Sequence, residues 1–349
     1  MKSGLFVSIC IPVYNGEKYL AKTLDSIVNQ TYPHREIIVS DNVSTDDSPR
    51  IAQEYMRKHN IQYSPMDTHT PIGEYNANRC VALAKGEAVC VYHADDIYEP
   101  QIVARCVEVL KKYPNVGAVF TMAKVIDEKG HSISRYVLPP ELRALPRDYY
   151  RFDEIFSCVL KYENSFLVCP SAMVRKSVYD ELGAWEYEKY RFASDLGLWF
   201  KIAQKYDVAI IDEPLINYRV SRSQGSQVIA RQRTERADYF RVMEAFAGKI
   251  QGHRNRYYYQ ASLMKDCVYR ALNLSLSSSL NESNILIKEA WRLYGRSFFP
   301  FLINPKTMIY FFISLMLAFM NRMPFATIRS WYHHFIFKLV GIKKQLFSY

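Results

Sequence analysis

Apolar positions in the first hundred residues follow two alternating rhythms. Leu5–Ile11, Glu36–Ser40 and Ala88–Tyr92 are short runs rich in β-branched residues, with the length and continuity of strands buried on both faces. Between them, Lys18–Asn29, Ser48–Lys58 and Tyr75–Ala84 carry apolar residues at helical spacing. Ile61–Ser64 reads as a further short strand, and Ser44 as the cap of the helix that follows it. The alternation predicts β-α-β units, hence an α/β fold with a mostly parallel sheet and helices on both faces. The pattern continues with helices at Gln101–Lys112 and Ser194–Lys205 and strands at Gly117–Met122, Phe166–Cys169 and Ala209–Asp212. Pro139, Pro140 and Pro146 break the middle of the chain, and from about Ser226 the periodicity is helical.

In a parallel sheet of this kind, ligands bind beyond the carboxyl ends of the strands. Three strand ends here carry polar chemistry. His93-Ala94-Asp95-Asp96 closes the third run, and two adjacent carboxylates suit a hard cation such as Mg²⁺ or Mn²⁺ against a diphosphate. A solvated acidic turn reads equally well from these residues alone. Asp41 ends the second run, where it can accept a hydrogen bond from a pyrimidine N–H; the neighbouring Asn42, Ser44 and Asp46 suit helix capping. Pro12-Val13-Tyr14-Asn15-Gly16 follows the first run, with Tyr14 placed to stack on a base and the next helix N-terminus near a polar ligand. A fourth candidate, Asp195, stands at a helix start, suited either to proton abstraction or to complementing the helix dipole.

Taken in order, VSICIPVYNGEKYL, EIIVSDNVSTDDS, GEYNANRCVALAKGEAVCVYHADDIYEP, ELGAW and ASDLGLWFKIA resemble the family 2 glycosyltransferases with the GT-A fold, of the kind that builds bacterial surface polysaccharide. The resemblance covers roughly residues 5–225 and implies an inverting, metal-dependent transfer from a nucleotide-sugar donor, UDP- or dTDP-linked. It implies that Pro12, Tyr14 and Asn15 line the nucleoside site and that Asp41 binds the base. Asp95 would contact the ribose or donor sugar, and Asp96 would bind Mn²⁺ or Mg²⁺ with Asp95 beside it. Asp195 would be the catalytic base, Gly183 and Trp185 would lie at the acceptor, and Arg219 would close over the diphosphate. The chain departs from the pattern in three places. His93 stands where many relatives have Asp and is expected to be no ligand. Ser194 replaces the usual Glu before the base. Ser221 replaces a common His, leaving Arg222 to help grip the diphosphate.

Charge changes the picture only through its distribution. The net charge is +10, but the excess of Lys and Arg sits after residue 215, and the last acidic side chain is Glu289. Thr307–Asn321 is apolar for fewer residues than a bilayer span needs. Pro324–Val340 mixes aromatic with basic residues. These stretches predict helices lying peripherally on an anionic membrane surface, at its cytoplasmic face, rather than a nucleic-acid contact. Packing on the catalytic domain or on a second copy, as a homodimer, is the alternative. The boundaries expected are 1–225 for the catalytic domain, 226–300 for a helical extension and 301–349 for the membrane-associating segment. The acceptor expected is a glycan, lipid-linked. Competing readings are a catalytically inactive nucleotide-sugar-binding scaffold and a sugar nucleotidyltransferase; the latter usually carries a Gly-rich phosphate loop with a basic residue where this chain has Val13-Tyr14-Asn15-Gly16. Seven cysteines without Cys-x-x-Cys spacing read as buried small hydrophobes.

Overall fold

The computed structural model describes residues 4–221, 233–277, 279–296 and 305–322. They fall into two compact units, Met1–Cys158 with Asn164–Ser221, and Val159–Glu163 with Arg222–Tyr349.

The first unit is built on a ten-stranded mixed sheet. Its strands are β1 (Val7–Val13), β2 (Arg35–Asp41), β3 (Ile61–Pro65), β4 (Ala88–Val91), β5 (Ile97–Tyr98), β6 (Val116–Ile126), β7 (Ser132–Arg135), β8 (Tyr149–Tyr150), β9 (Met173–Arg175) and β10 (Asp207–Arg219). The order across the sheet is β3-β2-β1-β4-β9-β6-β10-β5, with β7 on β6 and β8 on β10. Strands β3, β2, β1 and β4 are parallel, and so are β6 and β10. β1 is central to the parallel half, and Val7, Ile9 and Ile11 are fully buried beside the likewise buried Cys10. That explains its unbroken apolar run. The helices are α1 (Glu17–Val28), α2 (Ser48–Lys58), α3 (Gly73–Leu83), α4 (Ile102–Lys112), α5 (Pro140–Arg143), α6 (Phe152–Tyr162), α7 (Lys176–Leu182), α8 (Tyr187–Tyr190) and α9 (Ser194–Lys205). Leu20, Leu24 and Ile27 of α1 and Ile102, Val103, Cys106 and Leu110 of α4 join the sheet core, as their spacing predicts.

Two local expectations fail for physical reasons. Phe166–Cys169 is not a strand; it runs into a 3₁₀ turn at Cys169–Ser171, and the ladder is taken up by β9, antiparallel to both β4 and β6. Phe166 and Leu167 are buried, so the apolar run signals burial rather than pairing. Pro170 has no N–H to give a ladder, and the Ser171 hydroxyl accepts the Thr121 N–H of β6 instead, at 3.0 Å. The second failure is Ser44, which caps no helix; its hydroxyl donates to Asp41 Oδ1 at 2.6 Å. β10 is much longer than Ala209–Asp212. Its register against β6 shifts around Pro214, then resumes to Arg219, which carries the strand to the end of the sheet where the candidate residues gather.

The second unit is helical, with segments Tyr239–Ala245, Gly252–Leu276, Leu280–Arg296 and Pro305–Met320. Met264, Val268, Leu272, Ile287, Leu317 and Met320 form its core. Buried Asn321 ties three helical regions: it donates to Ser283 Oγ and Asn284 Oδ1, both at 3.0 Å, and accepts from Ser275 Oγ at 2.6 Å. Such a satisfied polar network fixes the register of an otherwise greasy bundle. Phe312, Leu315 and Phe319 leave an exposed apolar stripe on the last helix. Among the described residues no helix is long and apolar enough to cross a membrane. The predicted segment Pro324–Val340 lies outside the described residues.

A Cβ at Gly197 of α9 would stand 2.3 Å from the buried Tyr190 ring. Gly197→Ala must therefore push that ring and the Tyr187–Ala193 segment away from the helix. The expected cost is about 1–3 kcal/mol, read by urea denaturation; an unchanged midpoint would show that Tyr190 does not pin this segment.

Candidate functional site

The turn His93–Asp96 leaves the carboxyl end of β4 and is held from three sides. Thr23 Oγ1 of α1 lies 2.9 Å from the Ala94 carbonyl and 2.7 Å from that of Asp96. Tyr98, stacked on Tyr92 with ring centroids 4.0 Å apart, sends its hydroxyl to the His93 N–H, which donates to it at 2.8 Å. From β10, the Arg219 N–H donates to Asp96 Oδ1 at 2.7 Å. Asp96 is fully buried, and its second oxygen, Oδ2, has no hydrogen-bond partner. Burial, and then the charge of Asp95, push the Asp96 carboxyl well above the ordinary range. An unpaired buried carboxylate oxygen is costly until a proton or a cation takes it. His93, Asp95 and Asp96 each offer one ligand atom, all within 4.8 Å of one another. Burial lowers the His93 pKa and so favours the neutral ring that can ligate. Two carboxylates with one imidazole fit a divalent cation, and His93, expected to stand outside the ligand set, is among the residues that could hold it.

The loops after β1 and β2 are zipped together. Ser44 Oγ accepts the Asn15 N–H at 2.9 Å, and Asn15 Oδ1 accepts the Thr45 N–H at 2.9 Å. Asp46 and Ser48 accept the N–H groups of Glu17 and Gly16, at 2.9 Å and 2.8 Å. The first N–H groups of α1 are thus already capped, so the expected help of this helix end to a polar ligand is not available at Gly16 and Glu17. Asn15 and Val43 both have positive φ, 49° and 60°. For a β-branched residue such as Val43 that is a strained conformation, of the kind found where a loop is held for a ligand. Asp41 is only 2% exposed; its Oδ1 takes the Ser44 N–H and hydroxyl, and its Oδ2 takes the Tyr63 hydroxyl at 2.8 Å. A carboxylate has room for a further donor beyond these three. Tyr14 is half exposed and rests on His69, ring centroids 4.4 Å apart. Pro12 lies within β1, one residue from that loop.

Asp195 stands in the first turn of α9. Its Oδ1 accepts its neighbour Leu196's N–H at 2.6 Å, and Asn164 Nδ2 approaches Oδ2 at 3.4 Å. Its pKa is raised to about 6, chiefly by burial and further by the charge of Glu74, against the opposing pull of the Leu196 N–H. Glu74, in the first turn of α3, accepts a hydrogen bond from Ser194 Oγ at 3.3 Å. The acid missing from position 194 is thus matched in space by one 120 residues away in sequence. Cys169 lies among these groups: after burial, the charges of Asp195, Glu74 and Asp96 raise its thiol. The metal-capable turn and the raised carboxylate therefore share one neighbourhood.

Three further expected site residues are placed as follows. Arg219 is 2% exposed; its Nε donates to the Asp95 carbonyl at 2.8 Å, its Nη1 to that of Asp127 at 2.9 Å, and its guanidinium lies over the Tyr19 ring. It holds the turn from behind. Trp185 is buried between Tyr179 and Trp199, and its backbone is clamped by the Asn78 side chain through two 2.9 Å bonds. Gly183 ends α7 with φ of 76°, a conformation that favours glycine. Both shape the chain ahead of α8. Arg222 lies outside the described residues. Thr23, Tyr98, His69, Tyr63, Asn164 and Glu74 escaped the sequence reading, since each reports through a partner distant in the chain.

The sequence matches the model of Glycosyl transferase family 2 over residues 8–183. It is similar to an uncharacterized glycosyltransferase of Rickettsia prowazekii, 27% identical over 243 residues that span 68% of this chain and 72% of that one. Its fold is similar to that of S. aureus TarS residues 1–349 in complex with UDP-GlcNAc, with a TM-score of 0.59 and 17% identity over 87% of this chain and 89% of that one. It is also similar to mannosyltransferase PcManGT from Pyrobaculum calidifontis in complex with GDP-Man and Mn²⁺, with a TM-score of 0.52 and 17% identity over 91% and 86% of the two chains. At such identities the structural likeness speaks for the fold, which is GT-A with a helical C-terminal region, while the family match carries the activity. The chain belongs to glycosyl transferase family 2 and is a glycosyltransferase.

Proposed function

We propose that this glycosyltransferase is metal-dependent and inverting, and that it moves a sugar from a nucleoside-diphosphate donor to a hydroxyl of a glycan acceptor. The observation that carries this reading is the pairing, in one neighbourhood, of a metal-capable turn with an unpaired buried oxygen (Asp96) and a carboxylate poised near neutrality (Asp195). Asp41 accepts a pyrimidine N–H and Tyr14 packs on the base, with Pro12 and Asn15 shaping the loop. UDP-linked donors suit this site best, dTDP-linked donors next. Support comes from TarS, solved with UDP-GlcNAc, and from the mannosyltransferase, solved with GDP-Man and Mn²⁺. Asp96, Asp95 and His93 would hold the cation, which when bound would offset the charge of the leaving diphosphate. Asp195 takes the proton of the acceptor hydroxyl. The acceptor oxygen then bonds the anomeric carbon from the face opposite the nucleotide, and the bond to the diphosphate oxygen breaks, which inverts the centre. A purely scaffolding role has no use for a carboxylate held at a raised pKa, which costs folding stability.

We further propose a catalytic domain over residues 1–225, an extension over 226–300 and a segment over 301–349 that lies on an anionic membrane. The acceptor is then lipid-linked, the product a cell-surface polysaccharide and the location the cytoplasmic face. The exposed stripe Phe312, Leu315 and Phe319, together with a tail free of acidic residues after Glu289, supports this.

Asp195→Asn should lower turnover by about 10²–10⁴-fold while leaving donor affinity within about twofold. Unchanged turnover would remove Asp195 from the role of base. In the wild type, turnover should fall with decreasing pH along a limb centred near the Asp195 value of about 6. The stability consequence has a definite sign. A carboxyl whose folded pKa is raised binds its proton more tightly when folded, so the native state loses stability as pH rises from about 4 through about 6. Asp195→Asn should therefore be more stable than wild type above pH 6, by at most about 3 kcal/mol, with the gap closing below pH 4 in denaturant titrations. For the membrane, Phe312→Asp with Phe319→Asp should cut flotation on phosphatidylglycerol vesicles by about tenfold or more; equal flotation of variant and wild type would count against the stripe.

A further inference from the structure

Three aromatic side chains on the segments that carry Glu74 and Asp195, or in contact with them, have no task in the chemistry above. Tyr75 is 39% exposed and Phe192 is 56% exposed, and the Tyr187 ring lies between them, with centroids 6.3 Å from Tyr75 and 5.6 Å from Phe192. Their position is fixed relative to the base. Tyr75 directly follows Glu74, whose carboxylate accepts the Ser194 hydroxyl, and Phe192 precedes Asp195 by a single 3₁₀ turn. Their orientation is fixed as well. The Tyr75 hydroxyl donates to Glu188, Tyr190 is buried against Gly197, and Arg191 is held at φ of 51°. Exposed rings kept in place in this manner lose little entropy when a ligand arrives, which favours binding.

We propose that these rings form the acceptor platform: a pyranose ring of the acceptor stacks on Phe192, the most exposed ring of the edge-to-face cluster it forms with Tyr187 and Tyr75, presents one hydroxyl to Asp195 and gives a neighbouring hydroxyl's hydrogen bond to Glu74. This deepens the functional reading above and rests on Asp195 being the base. The chemistry selects a sugar. A pyranose has an apolar C–H face and a rim of hydroxyls, so it needs an aromatic surface with acceptors at its edge. The negative face of an aromatic ring suits polarised C–H groups, and Glu74 and Asp195 stand at the rim as acceptors. A lipid tail would need a broad apolar surface free of charge, as on the Phe312 stripe, whereas here Glu74, Glu188 and Arg191 interrupt it. The nucleobase is served elsewhere, by Tyr14 on His69.

The test uses the full chain with UDP and Mn²⁺ present. The probes are the methyl glycosides of glucose, galactose, mannose and N-acetylglucosamine, followed by saturation-transfer difference NMR. At least one glycoside should show contact through its C–H face. Its apparent affinity should fall about fivefold or more in Phe192→Ala, recover in Phe192→Tyr and fall in Glu74→Gln. UDP affinity by calorimetry should stay within about twofold in all three variants, which a general loss of structure would not allow. The platform is overturned if no glycoside contacts the wild type, or if the contact is indifferent to Phe192→Ala. Failure of the underlying reading would appear separately, as unchanged turnover in Asp195→Asn, while the glycoside contact itself is read without turnover.

Discussion

A carboxylate sealed from water where two strands end sets the geometry of everything around it. Asp96 follows β4 and Arg219 ends β10, and the 2.7 Å bond from the Arg219 N–H to Asp96 Oδ1 joins them. The same arginine turns its guanidinium onto the carbonyls of Asp95 and Asp127, so one side chain fixes both the turn and the loop behind it. With Oδ1 satisfied by backbone, Oδ2 is left buried and unpaired. Burial of that kind is tolerated in a native protein when something else completes it, and the proposed cation, held with Asp95 and His93, would do so. The price of keeping Asp96 in place is thus met partly by β10, whose length past Pro214 is what brings Arg219 to the site.

The second carboxylate obeys a different balance. Asp195 is raised to about 6 by burial and by Glu74, while the Leu196 N–H limits the rise. A base at that value is ionised at neutral pH and still basic enough to take a hydroxyl proton in the transition state. The two acids therefore divide their tasks by environment. One is fully enclosed, with an oxygen left for the proposed cation, and the other is held by the Leu196 N–H and approached by Asn164.

Much of this was legible in the chain. The runs at Leu5–Ile11, Glu36–Ser40 and Ala88–Tyr92 became β1, β2 and β4 because central parallel strands must be apolar on both faces. The loops that follow them carry Tyr14, Asp41 and Asp96, as strand-end placement implied. Ser194–Lys205 matches α9 to the residue. What misled was burial without pairing at Phe166–Cys169, and residue types whose local and distant partners look alike. Ser44 resembles a cap but serves Asp41. Thr23 beneath the Asp96 turn and Glu74 beside Ser194 left no periodic or spacing signal, because each meets its partner only after the sheet has assembled.

The most direct measurement is calorimetric titration of UDP, with and without Mn²⁺, into wild type and into Asp96→Asn. The account predicts wild-type binding strengthened about tenfold or more by the cation, and that gain lost in the variant, because the buried oxygen that completes the cation site has become an amide. Equal binding with and without Mn²⁺ in the wild type, or an undiminished Mn²⁺ effect in Asp96→Asn, would contradict the assignment of Asp96 to a metal-held diphosphate.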